Sequence, residues 1–434
     1  MTNIFMKRLL LSSILFLFIF KTVSAQNIQK IINQVQVERI ENALAHDSMQ
    51  GRKTFTEGID KAANFIAAEF KKAKLKPINS TEGYLQKFIM IKPKLIAVNG
   101  LADGIVVESK NIVAVTCLPN LNVTEKSNYT QFSITKGANI FAEAQRIAQL
   151  NDNAIVWVDT SFSKSFGRLT FLKRQLFKSN NSVVFVLTSS VPKTYSIQAT
   201  HEITEQKAAN VVGVLPGKTK PKEYVIFSAH YDHLGISSKP LNNDSIFNGA
   251  NDDASGTAAV IMLANYFSTI KNNERTIVFV AFTAEEIGGF GSQYFSKQYN
   301  PQQVVAMFNI EMIGTESKWG KNSAYITGFD KTNMGEILQK NLKGTPFNFY
   351  PDPYVSEDLF YRSDNATLAK LGVPAHTIST SKMDNEPNYH KLSDEVATLD
   401  LNNMTAIIRS IALSATSIIK GKDTPSRVDA QLLK

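Results

Sequence analysis

Apolar positions along this chain recur with two different periods. Residues 224–229, 275–283 and 304–310 are short, almost unbroken apolar runs, the pattern of buried strands. Residues 208–217, closed by Pro216-Gly217, and the runs 323–327 and 373–378 extend the series. Between them, apolar residues return every three or four positions over 257–270, 289–298, 334–342 and 402–419, the spacing of helices packed by one face. Upstream, 59–74 carries a helical stripe at Ile59, Ala62, Phe65, Ile66 and Phe70 with a basic outer face, and 26–44 shows similar spacing. Strand and helix therefore alternate. This predicts an α/β fold: a three-layer α/β/α sandwich around a mixed, mostly parallel sheet.

The texture differs from Tyr84 to about Glu205. Strand-like runs at 88–91, 104–107, 112–115, 154–158 and 182–187, with one helical stretch at 138–150, are separated by polar, turn-rich links. None of the six His falls between residues 47 and 200, and no acidic cluster does. The segment 84–205 reads as an inserted, smaller α+β domain without chemistry of its own. The larger domain is then assembled from 26–83 and 206–434.

Candidate chemistry collects where the strands of the larger domain stop. His230 and Asp232 follow the run that ends at Ala229, and Asn251-Asp252-Asp253 stands at the head of the next helix. Glu285-Glu286 closes the second run, Glu311 closes the third, and a distant polar loop adds His390. In open α/β sheets, ligands bind outside the carboxyl ends of the strands. Imidazole and carboxylate donors without thiolate suit zinc, manganese or cobalt. A carboxylate shared by two ions, with two further ligands on each side, describes a two-metal hydrolytic centre.

Taken in order, the segments HYDHLG, NGANDDASG, FTAEE, FNIEMIG and YHKLSDE resemble the M28 family of zinc aminopeptidases. The resemblance runs from about Lys207 to the last helix and takes in 46–77, where Gly51-Arg52 precedes the helix that opens the catalytic domain. Many members of the family carry a protease-associated domain where this chain has its insertion. The resemblance implies that Asp252, three residues before Ser255, bridges two zinc ions. His230 and Glu311 would complete one site, and Glu286 and His390 the other. Asp253 is the neighbour and rival of Asp252, and a place near a helix N-terminus accounts for its charge. The family usually has Asp where Glu311 stands, so the extra methylene calls for a backbone or rotamer adjustment.

Asp232 is expected to accept the far ring N–H of His230 and fix its tautomer. Glu285 is expected to act as general base toward a water held by both ions. His233 is expected to hydrogen-bond locally, His376 to be a satisfied core histidine, and His46 and His201 to lie at the surface. Asp364 is expected either to hydrogen-bond around the substrate pocket or to cap a helix. Loops 319–322 and 347–360 are expected to wall that pocket.

The implied activity is aminopeptidase action on peptides or proteins with a free N-terminus. A glutaminyl cyclase with one zinc, a carboxypeptidase, and a binding protein that has lost catalysis are the alternatives. The run from Asp252 to Gly256 and the presence of His230 favour the peptidase.

Composition changes this picture little. A hydrophobic content of 43% and a charged content of 20% are ordinary for a globular enzyme. The net charge of +9 comes from scattered residues without a long basic run, which argues against nucleic-acid binding. Lys7-Arg8, the apolar stretch 9–20 and Val23-Ser24-Ala25 have the layout of a cleaved secretory leader over 1–25. This predicts a secreted or periplasmic protein with no membrane span after cleavage. The single cysteine, Cys117, excludes an intrachain disulfide and reads as a buried, inert thiol.

Overall fold

The computed structural model describes residues 28–78 and 83–433, so the leader expected over 1–25 lies outside the described residues. The chain forms two compact units, one from the residues up to Lys87 together with Ala209–Lys434, the other Phe88–Ala208. The sequence reading cuts at 84 and 205 instead. The cut at 205 falls inside the long strand Tyr195–Leu215, and the cut at 84 falls just before another, Leu85–Ala102, which runs on into the smaller unit.

The larger unit is built on a sheet. Its strands are β1 (Tyr195–Leu215, through its last residues), β2 (Lys220–His230), β3 (Arg275–Phe282), β4 (Val304–Ile310), β5 (Ser323–Ile326), β6 (Asn348–Pro351) and β7 (Ala375–Ser379). They lie in the order β6-β5-β7-β4-β2-β3-β1. The pairings β6–β5, β7–β4, β4–β2 and β2–β3 are parallel; β5–β7 and β3–β1 are antiparallel. The sheet is therefore mixed and mostly parallel.

Side chains on these strands alternate between two cores. Val225, Phe227, Ala229, Ile277, Phe279 and Ala281 enter one cluster, whereas Ile226, Val278, Val280 and Phe282 enter the other. Burial on both faces is why the runs read as continuous rather than alternating. On the first face, α1 (Gln34–Leu44), α2 (Glu57–Lys72), α3 (Ser255–Ile270) and α7 (Leu401–Ser414) supply the cover. Helix α3 is buried on nearly every side, which explains its uniformly apolar sequence. The shorter α4 (Phe290–Ser296) and α6 (Asn365–Ala369) lie on the second face; α5 (Met334–Leu342) joins the first cluster. The helix expected over 402–419 breaks after Ser414 and resumes as Thr416–Ile419.

The stretch after His233 is a hairpin of Gly235–Leu241 and Asp244–Phe247. Leu241 pairs with Asp244, and Asn242 and Asn243 both take positive φ, 52° and 67°. This is the conformation a two-residue hairpin turn demands, and Asn tolerates it. Gly51 (φ 64°) lets this hairpin approach: a Cβ there would lie 2.7 Å from the Phe247 carbonyl oxygen.

The smaller unit contains a four-stranded sheet in the order Ile112–Val115, Val183–Thr188, Ala154–Asp159, Thr130–Ile134, with the helix Ile140–Ala148 in its core. Strand Asn120–Thr124, which the sequence reading missed, pairs with residues 196–200. Here His201 departs from expectation. Alternation along Tyr195, Ile197 and Ala199 turns it inward, leaving it 4% exposed. Cys117 is half-buried with Sγ 3.3 Å from the Phe177 carbonyl, and burial pushes its thiol pKa up. No helix among the described residues is long and apolar enough to cross a membrane.

Candidate metal centre

The chain runs from β2 to β3 on one side, then crosses to β4 on the other side of β2. A crevice opens at such a switch point, outside the carboxyl ends of the strands. His230 ends β2 in the middle, Glu285 and Glu286 follow β3, and Glu311 follows β4. The chain turns sharply after β3 and β4 and again in the late loop: Ala284, Met312 and His390 all take positive φ (61°, 52° and 55°). Non-glycine residues held there carry strain that the surroundings must maintain, and such residues cluster at functional sites.

The expected residues converge. Asp252 directs Oδ1 to within 3.2 Å of His230 Nε2 and Oδ2 to within 3.2 Å of His390 Nε2. Glu286 Oε2 lies 3.2 Å from the same nitrogen of His390. Ligand atoms of His230, Asp252 and Glu311 all lie within 4.8 Å of one another, as do those of His233, Asp252 and Glu286. Donor atoms set tetrahedrally around an ion at about 2.0–2.1 Å stand roughly 3.3 Å apart. One oxygen of Glu311, Oε2, is buried without a hydrogen-bond partner. Spacing, donor chemistry and this orphaned oxygen together fit divalent ions.

His233 enters the site more closely than expected. Its Nδ1 lies 2.8 Å from Glu286 Oε1, a hydrogen bond, and 3.9 Å from Asp252 Oδ2. Glu286 thus gives one oxygen to His233 and turns the other toward His390. Its place directly after Asp232 was the only sequence signal for this.

The contact expected between Asp232 and His230 is made differently. The main-chain carbonyl of Asp232 lies 3.1 Å from His230 Nδ1, whereas its carboxylate Oδ1 stands 3.8 Å away. The carboxylate is engaged elsewhere: it accepts from the Thr54 hydroxyl (3.0 Å) and from the main-chain N–H groups of Glu285 (3.1 Å) and Glu286 (3.3 Å). Asp232 therefore orients the Glu285-Glu286 turn.

Asp253, the rival for the bridging place, points away. Its carboxylate accepts main-chain N–H groups from His230, Gly256 and Met312 at 3.2, 3.0 and 3.1 Å, tying the ends of β2 and β4 to the first turn of α3. The Asp252-Asp253 peptide is cis.

Three features escaped the sequence reading. Asn309, inside an apolar run, is buried and satisfied: it accepts from Ser228 Oγ (2.7 Å) and donates to Ser363 Oγ (2.7 Å) and Thr377 Oγ1 (3.1 Å). Asp394 lies in the YHKLSDE segment but was given no role. Its carboxylate accepts the N–H groups of Asn251 (2.8 Å) and Asp252 (3.0 Å). Arg52 is fully buried and donates to the carbonyls of Leu44, Tyr231, Asn248 and Gly249. His376 is the satisfied core histidine expected, and His46 is exposed. Asp364 precedes α6 without a side-chain cap, and neither of its buried carboxylate oxygens has a hydrogen-bond partner.

The electrostatics divide the carboxylates. Burial alone would raise Asp252, but hydrogen bonds from His230 and His390 outweigh it and hold Asp252 below the usual carboxylate range. Burial is likewise outweighed at Glu286, by His233 and His390. His390 is pushed up to about 10 by its bonds to Asp252 and Glu286. Glu285 moves the other way. Burial, then the neighbouring carboxylates of Glu311, Asp364 and Glu286, push it well above the usual range against the pull of His230.

A cleft opens beside these groups, lined by Asp252, Glu285, Glu286, Glu311 and His390 and by Met312, Tyr325, Leu359, Arg362, Met383 and Tyr389. Of the two loops expected to wall it, 347–360 contributes Leu359 and 319–322 contributes nothing. Trp319 instead stacks on Tyr350, with ring centroids 4.3 Å apart.

Comparison with known proteins finds similarity in both sequence and fold. Residues 210–415 match the family model for Peptidase family M28, a segment that holds every expected ligand. The chain is 39% identical over 106 residues to a probable zinc metalloprotease of Pyrenophora teres f. teres, covering 24% of this chain and 22% of that protein. It is 30% identical over 149 residues to an aminopeptidase of Bacillus subtilis, covering 33% of this chain and 29% of that protein. The chain thus spans less than a third of either curated relative. The fold is similar to that of a zinc aminopeptidase from Bacillus subtilis (TM-score 0.55, 16% identity, 92% of this chain and 98% of that one). It is also similar to that of an aminopeptidase from Aneurinibacillus sp. strain AM-1 (TM-score 0.53, 16% identity, 94% and 98%).

Proposed function

We propose that this protein is a zinc-dependent metallopeptidase of the M28 type that removes the N-terminal residue from peptides. The observation that carries the reading is Asp252, whose two oxygens each stand 3.2 Å from a different histidine, His230 and His390. In this reading Asp252 would serve two zinc ions, with His230 and Glu311 completing one site and Glu286 and His390 the other. His233 holds the remaining oxygen of Glu286, as its 2.8 Å contact supports. Bound there, zinc would polarise the scissile carbonyl and lower the pKa of water at the site.

The chain's own groups supply the rest. Glu285 faces the cleft beside the ligands and carries no hydrogen bond to His233 or His390 that would tie it up as Glu286 is tied. It takes the proton from the attacking water and delivers it to the leaving amine. Asp232 holds the Glu285-Glu286 turn by its two N–H groups, so base and ligand keep their separate directions. The apolar walls Met312, Tyr325, Leu359 and Met383 exclude water and receive the side chain of the cleaved residue.

A panel of aminoacyl chromogenic substrates tests this with the full chain, before and after chelator and again with zinc restored. Turnover lost with the metal and regained with zinc is expected. A protein that takes up zinc yet hydrolyses no member of the panel, or one that turns over equally well after full chelation, refutes the reading.

A further inference from the structure

The loop that carries Asp252 is held from both sides by two buried residues. On one side, the guanidinium of Arg52 donates to the carbonyls of Asn248 (2.6 Å) and Gly249 (2.8 Å). On the other, Asp394 takes the next three N–H groups in turn: its carbonyl accepts from Ala250 (3.1 Å), and its carboxylate accepts from Asn251 and Asp252 (2.8 and 3.0 Å). Five consecutive residues, 248–252, thus have a carbonyl or an N–H fixed by one of two side chains or their backbone. Arg52 is 0% exposed and Asp394 1% exposed.

Both residues also reach the other ligand carriers. Arg52 donates a further bond to the carbonyl of Tyr231 (2.8 Å), the residue between His230 and Asp232. Asp394 follows His390 by one helical turn's worth of chain, within the same loop. The pair therefore joins three remote segments whose side chains meet at Asp252, and does so through the main chain.

We infer that Arg52 and Asp394 form a brace of positioning residues that sets the direction of the Asp252 carboxylate toward His230 and His390, and with it the affinity for zinc. This rests on the metallopeptidase reading. Neither residue can be replaced by its nearest relative. Asn at 394 would set an amide N–H against a main-chain N–H that now finds an acceptor. Lys at 52 has a single ammonium in place of a planar fork and cannot span four carbonyls. Outer partners of metal ligands typically account for 10–100-fold in metal affinity.

The test measures zinc dissociation constants by competition with a chromophoric chelator, on the full chain and on D394N, D394E and R52K. R275K serves as a control. Arg275 is also buried, but it begins β3 at the end of the sheet away from the site and bonds to Glu223 and the C-terminal segment. Zinc affinity 10–100-fold weaker is expected for D394N and R52K, with a smaller loss for D394E and none for R275K. The rise in thermal midpoint on adding zinc should shrink in the same order, and excess zinc should recover part of the turnover. Folded brace variants that bind zinc as tightly as the parent overturn the inference. Failure of all three to fold while R275K folds also overturns it, making the brace a requirement of folding alone. A parent protein that binds no zinc refutes the metallopeptidase reading instead.

Discussion

Oδ2 of Asp252 and Nε2 of His390 lie 3.2 Å apart, although five strands of the sheet separate the two residues along the chain. No hydrogen-bond ladder joins their loops directly. Their meeting follows from the sheet order, which stacks the ends of β3, β2 and β4 side by side, and from Asp394, which fastens the late loop to the early one. Like charges accumulate where these ends meet, and the histidines offset only part of them. A site of this composition is stable with cations in it and costly without them.

Glu285→Gln separates proton transfer from metal binding. Glutamine keeps the shape of the side chain and cannot accept the proton. General acid–base groups contribute about 10²–10⁴-fold to rate. Turnover of the best substrate should fall by that factor while zinc content, measured by elemental analysis, stays at the parent value. A variant that retains a tenth or more of parental activity would remove Glu285 from the role of base.

Glu311→Asp asks whether the site is built for the longer carboxylate. The backbone turns immediately after Glu311, with Met312 at φ 52°, and the Glu311 N–H is tied to the Ile378 carbonyl at 3.1 Å. The main chain is therefore not free to advance by the ~1.5 Å that a lost methylene removes. Bound zinc should fall from two equivalents toward one after dialysis, with the His230 side emptied first. Retention of both ions at parental affinity would show that the site accepts the shorter carboxylate and that the length of Glu311 does not set zinc binding.

Phe227→Ala probes the packing that holds the strand ends in place. Phe227 lies on β2 between its register partners Phe279 and Phe308, with ring centroids 5.8 and 4.9 Å away, and Phe267 of α3 closes the stack at 5.6 Å. All four rings are buried. Removing such a ring costs about 3–5 kcal/mol. Denaturant unfolding of the metal-free protein should show a loss in this range. A loss below about 1.5 kcal/mol would mean that the central strands tolerate the cavity by collapse.

The same residues show how far the fold could be read from the chain. The apolar runs at 275–283 and 304–310 become β3 and β4 with little change, because strands buried on both faces cannot be confused with half-exposed ones. The hairpin after His233 was not legible: its strands carry Ser237, Ser238 and Lys239 outward and bury little, so no period emerges. At the site, the resemblance carried by the ordered segments singled out His230, Asp252, Glu286, Glu311 and His390, and the structure brings them together. Direction was not legible. Asp232 and Asp253 are carboxylates at plausible positions, yet both spend their oxygens on main-chain N–H groups, a choice made by tertiary geometry rather than by spacing. Arg52 and Asn309 show the same limit, since a buried polar residue is explained only by partners far away in sequence.

His376 predicts how stability depends on pH. Its ring is 1% exposed, with Nδ1 2.8 Å from the Thr327 carbonyl and Nε2 2.8 Å from the Thr332 hydroxyl. Nδ1–H donates to the carbonyl, and burial favours the neutral ring, whose Nε2 then accepts from the Thr332 hydroxyl. Burial lowers its pKa to about 4. An unfolded histidine titrates near 6.5. As pH falls below about 6.5, the unfolded chain takes up a proton that the folded ring refuses until about pH 4, so the folded state loses ground throughout that window and is unaffected above it. The full effect is at most about 3 kcal/mol. Other groups titrate in the same range, so the measurement is a difference. Stability of the parent minus that of His376→Gln, followed from pH 8 to pH 4, should be level above 6.5 and should fall steadily below it. A difference that stays level down to pH 4, or grows as the solution is acidified, would contradict a neutral, buried His376.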